Sequence, residues 1–184
     1  MKKYFVIGNP IEHSLSPQVH EFWFKKNNLN AFYKKQKLNN IDLSDYILKV
    51  RNKEIDGMNV TIPFKKEIIS YLDALSAEAD KTQSVNTISL SNDKVIGHNT
   101  DINGFKFAIK DTKYNATNKK VFILGAGGVV PSIILALIDM NVSNITVTNR
   151  TKSKADELKK LFKSIKTVEW GEIPDFDIII NATS

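Results

Sequence analysis

Val121-Phe122-Ile123-Leu124-Gly125-Ala126-Gly127-Gly128 is an apolar run that breaks into a glycine turn. A helical stretch, a second apolar strand from Ile145 to Thr148 and the tripeptide Asn149-Arg150-Thr151 follow it. A glycine turn between strand and helix lets backbone amides approach a pyrophosphate, and the positive end of the helix dipole faces the same place. The turn therefore reads as a dinucleotide clamp formed by Gly125, Ala126, Gly127 and Gly128. The residue after the second strand says which dinucleotide. A site for an unphosphorylated ribose has Asp or Glu there to accept from the 2′-hydroxyl. Asn149 and Arg150 stand there instead, and a guanidinium pairs with a 2′-phosphate that a carboxylate would repel. The expected cofactor is NADP rather than NAD. With 24 lysines against two arginines, an arginine at this position is a rare residue in a telling place.

The flanking strand and helix are what the fingerprint demands, but its third small residue is missing, since Val130 occupies that place and Pro131 follows. Pro131 is compatible with a first helical turn, where its missing N–H has no partner to lose. Val130 is expected to push the helix slightly off the sheet.

Composition excludes several classes. With 42% hydrophobic and 25% charged residues, the 184-residue chain can bury a sizeable core. No N-terminal signal pattern is present, and the most apolar helix, Val129 to Val142, is too short to span a membrane and carries Asp139. The chain has no cysteine, which removes disulfides, thiolate nucleophiles and cysteine metal sites and fits a cytoplasmic protein. His13, His20 and His98 lack metal-ligand spacing, so no metal is expected. The net charge of +6 comes from lysines scattered over every segment, without an arginine stripe or interleaved aromatics. That pattern points to small anionic substrates rather than nucleic acid.

Strand-like and helix-like segments alternate, which predicts an α/β fold with largely parallel pairing. Strands are expected at Tyr4–Ile7, Phe32–Leu38, Ile55–Ile62, Val85–Leu90 and Val95–His98, the last two forming a hairpin around Ser91-Asn92-Asp93. Helices are expected at Pro17–Asn27, with Val19, Phe22, Trp23 and Lys26 at helical spacing, at Ser44–Val50, from Pro63 to Leu72, and from Asp101. The division expected is residues 1–101 for a substrate-binding and catalytic domain and 102–184 for a Rossmann domain that holds NADP. The second is incomplete: after a strand at Asp177–Ile180 and Asn181-Ala182-Thr183-Ser184 only the first half of a doubly wound domain is written. A fragment of a longer protein is expected, with an exposed apolar sheet edge and a tendency to associate.

Four polar clusters fall where elements end, the place where open α/β sheets bind ligands. Ser14 and Ser16, two apart, project to one side of an extended loop and suit a small carboxylate, although Ser16 also reads as a cap on the helix beginning at Pro17. Asn59 and Thr61 share one face of a strand, and Lys65 follows in the first turn after Pro63, where a cation is disfavoured unless an anion rewards it. A solvent lysine in a lysine-rich chain is the alternative. Asn86 begins a strand with a donor and an acceptor for a polyol. Asp101 is either a helix N-cap or the partner of Lys65, and an adjacent ammonium and carboxylate can move a proton on an alcohol oxygen while a nicotinamide takes hydride.

The ordered set Ser-Leu-Ser-Pro, Asn-Val-Thr-Ile-Pro-Phe-Lys, Val-Asn-Thr, Asn-Thr-Asp-x-x-Gly-Phe, Gly-Ala-Gly-Gly, Asn-Arg-Thr and Asn-Ala-Thr-Ser resembles the shikimate dehydrogenases over essentially the whole chain. The resemblance implies reversible NADPH-dependent reduction of 3-dehydroshikimate to shikimate, on the route to aromatic amino acids. It implies that Ser14, Ser16, Asn59, Thr61, Lys65, Asn86 and Asp101 line the shikimate pocket, with Lys65 and Asp101 as the catalytic pair. It implies that Gly125 to Gly128 hold the pyrophosphate and that Asn149, Arg150, Thr151 and Lys154 surround the 2′-phosphate. The family often has arginine where Lys154 stands, which reduces a bidentate contact to a point charge. The partner implied is a small-molecule substrate, with no nucleic acid and no membrane, and a homodimer is compatible. Members continue for about another third of their length, with a helix that returns to the first unit. The rival readings are an NAD-dependent quinate or shikimate dehydrogenase, which Arg150 opposes, and a non-catalytic relative that keeps the pocket, which the presence of both Lys65 and Asp101 opposes.

Overall fold

The computed structural model describes residues 1–183; Ser184, the last residue of the Asn-Ala-Thr-Ser motif, lies outside the described residues. The chain divides into two compact units, 1–99 and 100–184.

In the first unit, strands β1 (Lys2–Gly8), β2 (Ala31–Lys37), β3 (Gly57–Val60), β4 (Ala74–Leu75), β5 (Thr87–Ser91) and β6 (Lys94–His98) form one sheet in the order β2-β1-β3-β5-β6-β4. Pairing of β1 with β2 and with β3, and of β4 with β6, is parallel, while β3–β5 and β5–β6 are antiparallel. The β5–β6 hairpin turns at Asn92 and Asp93, both at positive φ (50° and 56°), as a two-residue connection matching strand twist requires.

Side chains alternate across the sheet. Ile7, Met58, Val60, Ile88 and Val95 bury one face with Leu43, Ile47 and Val50 of helix α2 (Leu43–Arg51) and with Phe64 and Ile68. The opposite face carries Val6, Tyr33 and Tyr4, covered by Phe24 of helix α1 (Ser16–Lys26). Helix α3 (Ala77–Thr82) completes the unit, capped by the Ser76 hydroxyl.

Burial assigns the inner face of α1, and two expectations need correction. The stripe of α1 picked out by Val19, Phe22, Trp23 and Lys26 faces outward, with Phe22 59% and Trp23 49% exposed. The inner face is instead His20 and Phe24, whose rings lie on Tyr33 and Tyr4. Ser16 is not the cap: Leu15 holds that position, and its side chain makes no capping hydrogen bond. No α-helix begins at Pro63. A turn closed by the Phe64 N–H to Thr61 C=O (3.0 Å) leads into a 3-10 helix, Glu67–Tyr71, which lets both Phe64 and Ile68 reach the core. Lys65 thus stands in a turn, and the argument from a helix dipole lapses.

The second unit runs α4 (Asp101–Asp111), β7 (Lys120–Leu124), α5 (Val130–Asp139), β8 (Asn144–Thr148), α6 (Lys152–Leu161), β9 (Lys166–Thr167) and β10 (Ile178–Asn181). Its parallel sheet has the order β10-β7-β8-β9, so successive connections leave β7 on opposite sides. That reversal of strand order opens a crevice at the carboxyl end of β7, the usual ligand position in such sheets. Val121, Ile123, Ile134, Leu137, Val147 and Leu158 form the core, and Val130 is fully buried among them. The branched side chain that was expected to crowd the sheet is taken up by this packing. β10 is an edge strand with Ile179 half exposed.

Candidate active site

Hydrogen bonds tie four of the first unit's candidate residues into two groups, Ser14 with Ser16 and Asn59 with Asn86. The Ser14 hydroxyl donates to Ser16 Oγ (3.1 Å) and accepts the Ser16 N–H (3.3 Å). Ser16 faces Tyr33, whose phenol donates to Asn59 Oδ1 at 2.6 Å. Asn59 Nδ2 donates onward to the Asn86 carbonyl (3.1 Å) and Thr87 Oγ1 (3.0 Å), and the Thr87 hydroxyl donates to Asn86 Oδ1 (3.0 Å). Both Asn59 N–H groups are committed inside the protein, and Oδ1 keeps one acceptor lone pair beyond the bond from Tyr33.

Tyr33 is the neighbour that sequence reasoning missed, with no local signal to mark it, while Thr87 stands in the Val-Asn-Thr motif without having been singled out. Their roles come from register: Tyr33 pairs with Tyr4, and Asn59 pairs with both Val6 and Thr87. Burial pushes the Tyr33 phenol well above its usual pKa, with the Ser16 hydroxyl offsetting part of the rise. It remains a donor throughout the neutral range. The His20 ring stacks on Tyr33 at 4.0 Å and 11°, and its Nδ1 lies 2.8 Å from the Ser16 carbonyl oxygen.

Backbone bonds bring the remaining candidates of this unit to the same strand ends. The Thr61 N–H donates to Ile7 C=O (2.9 Å), extending β3 along β1. Gly8 makes this possible, because a Cβ there would lie 2.6 Å from the Thr61 methyl. The Val85 N–H donates to Lys65 C=O (2.8 Å) and the Val60 N–H to Asn86 C=O (2.9 Å), so Lys65 is anchored one residue from Asn86. A cleft of about 380 Å³ opens nearby on the α1 side of the sheet. It borders Asn59 and Thr87 but not Ser14, Ser16, Thr61, Lys65 or Asn86, so it adjoins these side chains rather than containing them.

In the second unit Asp101 is the first residue of α4, and Thr100 holds the N-cap position, which removes the simple cap reading. Gly125 has φ +111°, and a Cβ there would lie 2.6 Å from the Ala182 carbonyl oxygen, so only glycine fits between the turn and the end of β10. A Cβ on Gly127 would meet nothing nearer than 3.9 Å, and this bare stretch of backbone suits close approach of a pyrophosphate. Ala126 packs on the core. The Asn149 side chain donates to Thr151 C=O (2.8 Å) and braces the loop, and Thr151 is the N-cap residue of α6. Arg150 is exposed, and neither it nor Lys154 has a carboxylate partner within 4 Å among the described residues. The other arginine, Arg51, is forked onto Asp73 at 2.8 and 2.9 Å. Among the described residues no cluster of His, Cys, Asp or Glu could hold a metal ion, and no helix is long and apolar enough to cross a membrane.

Residues 6–88 match the family model for the shikimate dehydrogenase substrate binding domain, and residues 107–184 match that for shikimate / quinate 5-dehydrogenase. The NADP(+) shikimate dehydrogenase of Pelagibacter ubique is 55% identical over 185 residues, covering 100% of this chain and 70% of the relative.

The chain belongs to the shikimate dehydrogenase family.

Solved shikimate dehydrogenases carry the same fold. The enzyme of Aquifex aeolicus superposes with a TM-score of 0.91 at 34% identity, over 100% of this chain and 69% of that one. The Thermus thermophilus enzyme, solved with NADP(H) and shikimate, gives 0.89 at 30% identity, over 100% and 69%. The α/β architecture expected from sequence is that of this family, and the chain spans about 70% of the length of the Pelagibacter ubique relative.

Proposed function

We propose that this chain carries the substrate-binding and catalytic side chains of a shikimate dehydrogenase, with residues 1–101 serving the substrate and 102–184 the cofactor. The enzyme is an NADP-dependent oxidoreductase that interconverts 3-dehydroshikimate and shikimate in aromatic amino acid biosynthesis. The observation that supports the site assignment is the hydrogen-bonded set Tyr33–Asn59–Thr87–Asn86, with the bonded Ser14–Ser16 pair at the start of α1, which together offer hydroxyls and amides to one hydroxylated carboxylate.

In this reading Ser14 and Ser16 take the substrate carboxylate, while Asn59, Thr61 and Asn86 take its hydroxyls. Lys65 removes the proton from the reacting hydroxyl during oxidation and returns it to the carbonyl oxygen during reduction. Asp101 orients that hydroxyl. NADP supplies the hydride acceptor at nicotinamide C4. Gly125 to Gly128 present backbone to the pyrophosphate, and Arg150 and Lys154 face the 2′-phosphate within the loop shaped by Asn149 and Thr151. The same reading takes small molecules rather than nucleic acid as partners, the cytoplasm as compartment and a homodimer as assembly.

The test is nicotinamide reduction, followed by absorbance, when the 184-residue chain meets shikimate with NADP and, in parallel, with NAD. Turnover that prefers NADP is expected. A folded chain that neither turns over nor binds shikimate refutes the site assignment, and equal use of NAD refutes the cofactor assignment.

A further inference from the structure

A lysine beside the phosphate loop is spent on a carboxylate rather than left for the cofactor. Lys152, the first residue of α6, forms an ion pair with Glu169. Glu169 is fixed against the carboxyl end of β8: the Thr148 hydroxyl donates to its carbonyl at 3.1 Å, and the neighbouring Val168 N–H donates to Val147 C=O at 3.1 Å. It therefore lies beside the last residue of β8, where Asn149 and Arg150 begin. The Glu169 N–H donates to the Glu172 carboxylate at 3.0 Å, which brings a second acid to the same rim. Asp156, one helical turn after Lys152, adds a third to the field at its ammonium, which the Glu169 hydrogen bond holds above the usual lysine pKa.

The cations at 150, 152 and 154 thus differ in employment. Arg150 and Lys154 have no carboxylate partner within 4 Å among the described residues, and Lys152 is committed to Glu169. With side-chain exposures of 67% and 57%, the pair contributes little to fold stability. Its consequence is electrostatic. A carboxylate at the end of the second strand is the feature that turns such a site against a 2′-phosphate, and here Glu169 supplies one from a different segment.

Resting on the NADP reading above, we infer that Lys152 is a specificity-determining residue that acts through Glu169, masking its carboxylate so that Arg150 and Lys154 meet a 2′-phosphate without an opposing anion. Lys152 does not touch the phosphate in this assignment. The effect is confined to phosphorylated ribose, since an unphosphorylated one carries no charge for Glu169 to repel.

Calorimetric titration of the full chain with 2′,5′-ADP and with 5′-AMP, the adenosine halves of the two cofactors, tests this. Lys152→Ala weakens 2′,5′-ADP about fivefold and leaves 5′-AMP unchanged, the scale of one exposed charge contact. The double variant Lys152→Ala with Glu169→Gln restores the parent affinity for 2′,5′-ADP. A double variant as weak as the single one overturns the proposal, because Lys152 would then be a phosphate ligand itself. Unaltered 2′,5′-ADP binding in Lys152→Ala overturns it as well, as does an equal loss of both probes, which marks a structural role. A parent chain without preference for 2′,5′-ADP over 5′-AMP refutes the NADP reading and takes this role with it.

Discussion

The phenol of Tyr33 donates to Oδ1 of Asn59 at 2.6 Å, joining β2 to β3 across the intervening β1 and fixing which way the Asn59 amide points. The amide nitrogen is spent on the Asn86 carbonyl and Thr87 Oγ1, so these bonds together fix the orientation of a candidate binding group.

Tyr33→Phe removes that donor while keeping the ring stack with His20. It is expected to lower stability by about 1 kcal/mol, the net value of one hydrogen bond. KM for shikimate should rise about fivefold with kcat nearly constant, the same free energy read as affinity. Steady-state kinetics beside urea unfolding checks both, and a variant that loses stability without any change in KM contradicts the positioning role.

Lys65→Ala should act on the other parameter. Loss of a positioned proton-transfer group lowers kcat by about 10²–10⁴, with a much smaller change in KM for shikimate. Equal turnover in variant and parent would sink the catalytic assignment.

Arg150→Ala is expected to weaken NADP about tenfold, as loss of a charge-assisted contact does, and to leave NAD binding as it was. A loss shared equally by both cofactors removes the phosphate contact from the account.

Glu12 gives a pH signature. Its own backbone N–H, Lys37 at 3.1 Å and the Ile11 N–H at 2.9 Å lower its pKa to about 2 from an ordinary 4.5. A carboxylate held low in the fold stabilises it where the unfolded chain's carboxylate is already ionised. That contribution is complete above about pH 4.5 and is lost as pH falls toward 2. Thermal melts of parent and Glu12→Gln should therefore differ at neutral pH and converge in acid. A gap that persists unchanged at pH 2 is the contrary result. Glu12 lies two residues before Ser14, so shikimate binding should weaken over the same interval.

The nucleotide unit was the more legible half because its signals are local. Strand, glycine turn and helix stand next to one another from Val121 onward, and Arg150 follows its strand directly. The β5–β6 hairpin was equally legible from Asn92 and Asp93. The first unit hid its wiring, because Tyr33, Asn59 and Thr87 are brought together by register, which no short stretch records. The inner face of α1 is not legible either: Val19, Phe22 and Trp23 obey helical spacing but do not face the core, and hydropathy cannot tell an exposed apolar face from a buried one. At Pro63 the i, i+4 spacing of Phe64 and Ile68 reads as an α-helix, but a turn followed by a 3-10 helix brings the same two side chains to the core. The Lys152–Glu169 ion pair joins residues 17 apart and has no motif to announce it.

The close seat of Gly125 against the Ala182 carbonyl has a consequence for the order of events at the ribosome. The β7–β8 pair and the helix between them can assemble once Thr148 has emerged, but β7 keeps one bare edge until residues 178–181 arrive to pair with it. The glycine turn acquires its far wall last. During synthesis a nascent chain therefore displays a nearly finished nucleotide fold with an unpaired central strand, and the interval between positions 148 and 182 is the window in which that edge most needs shelter from its neighbours.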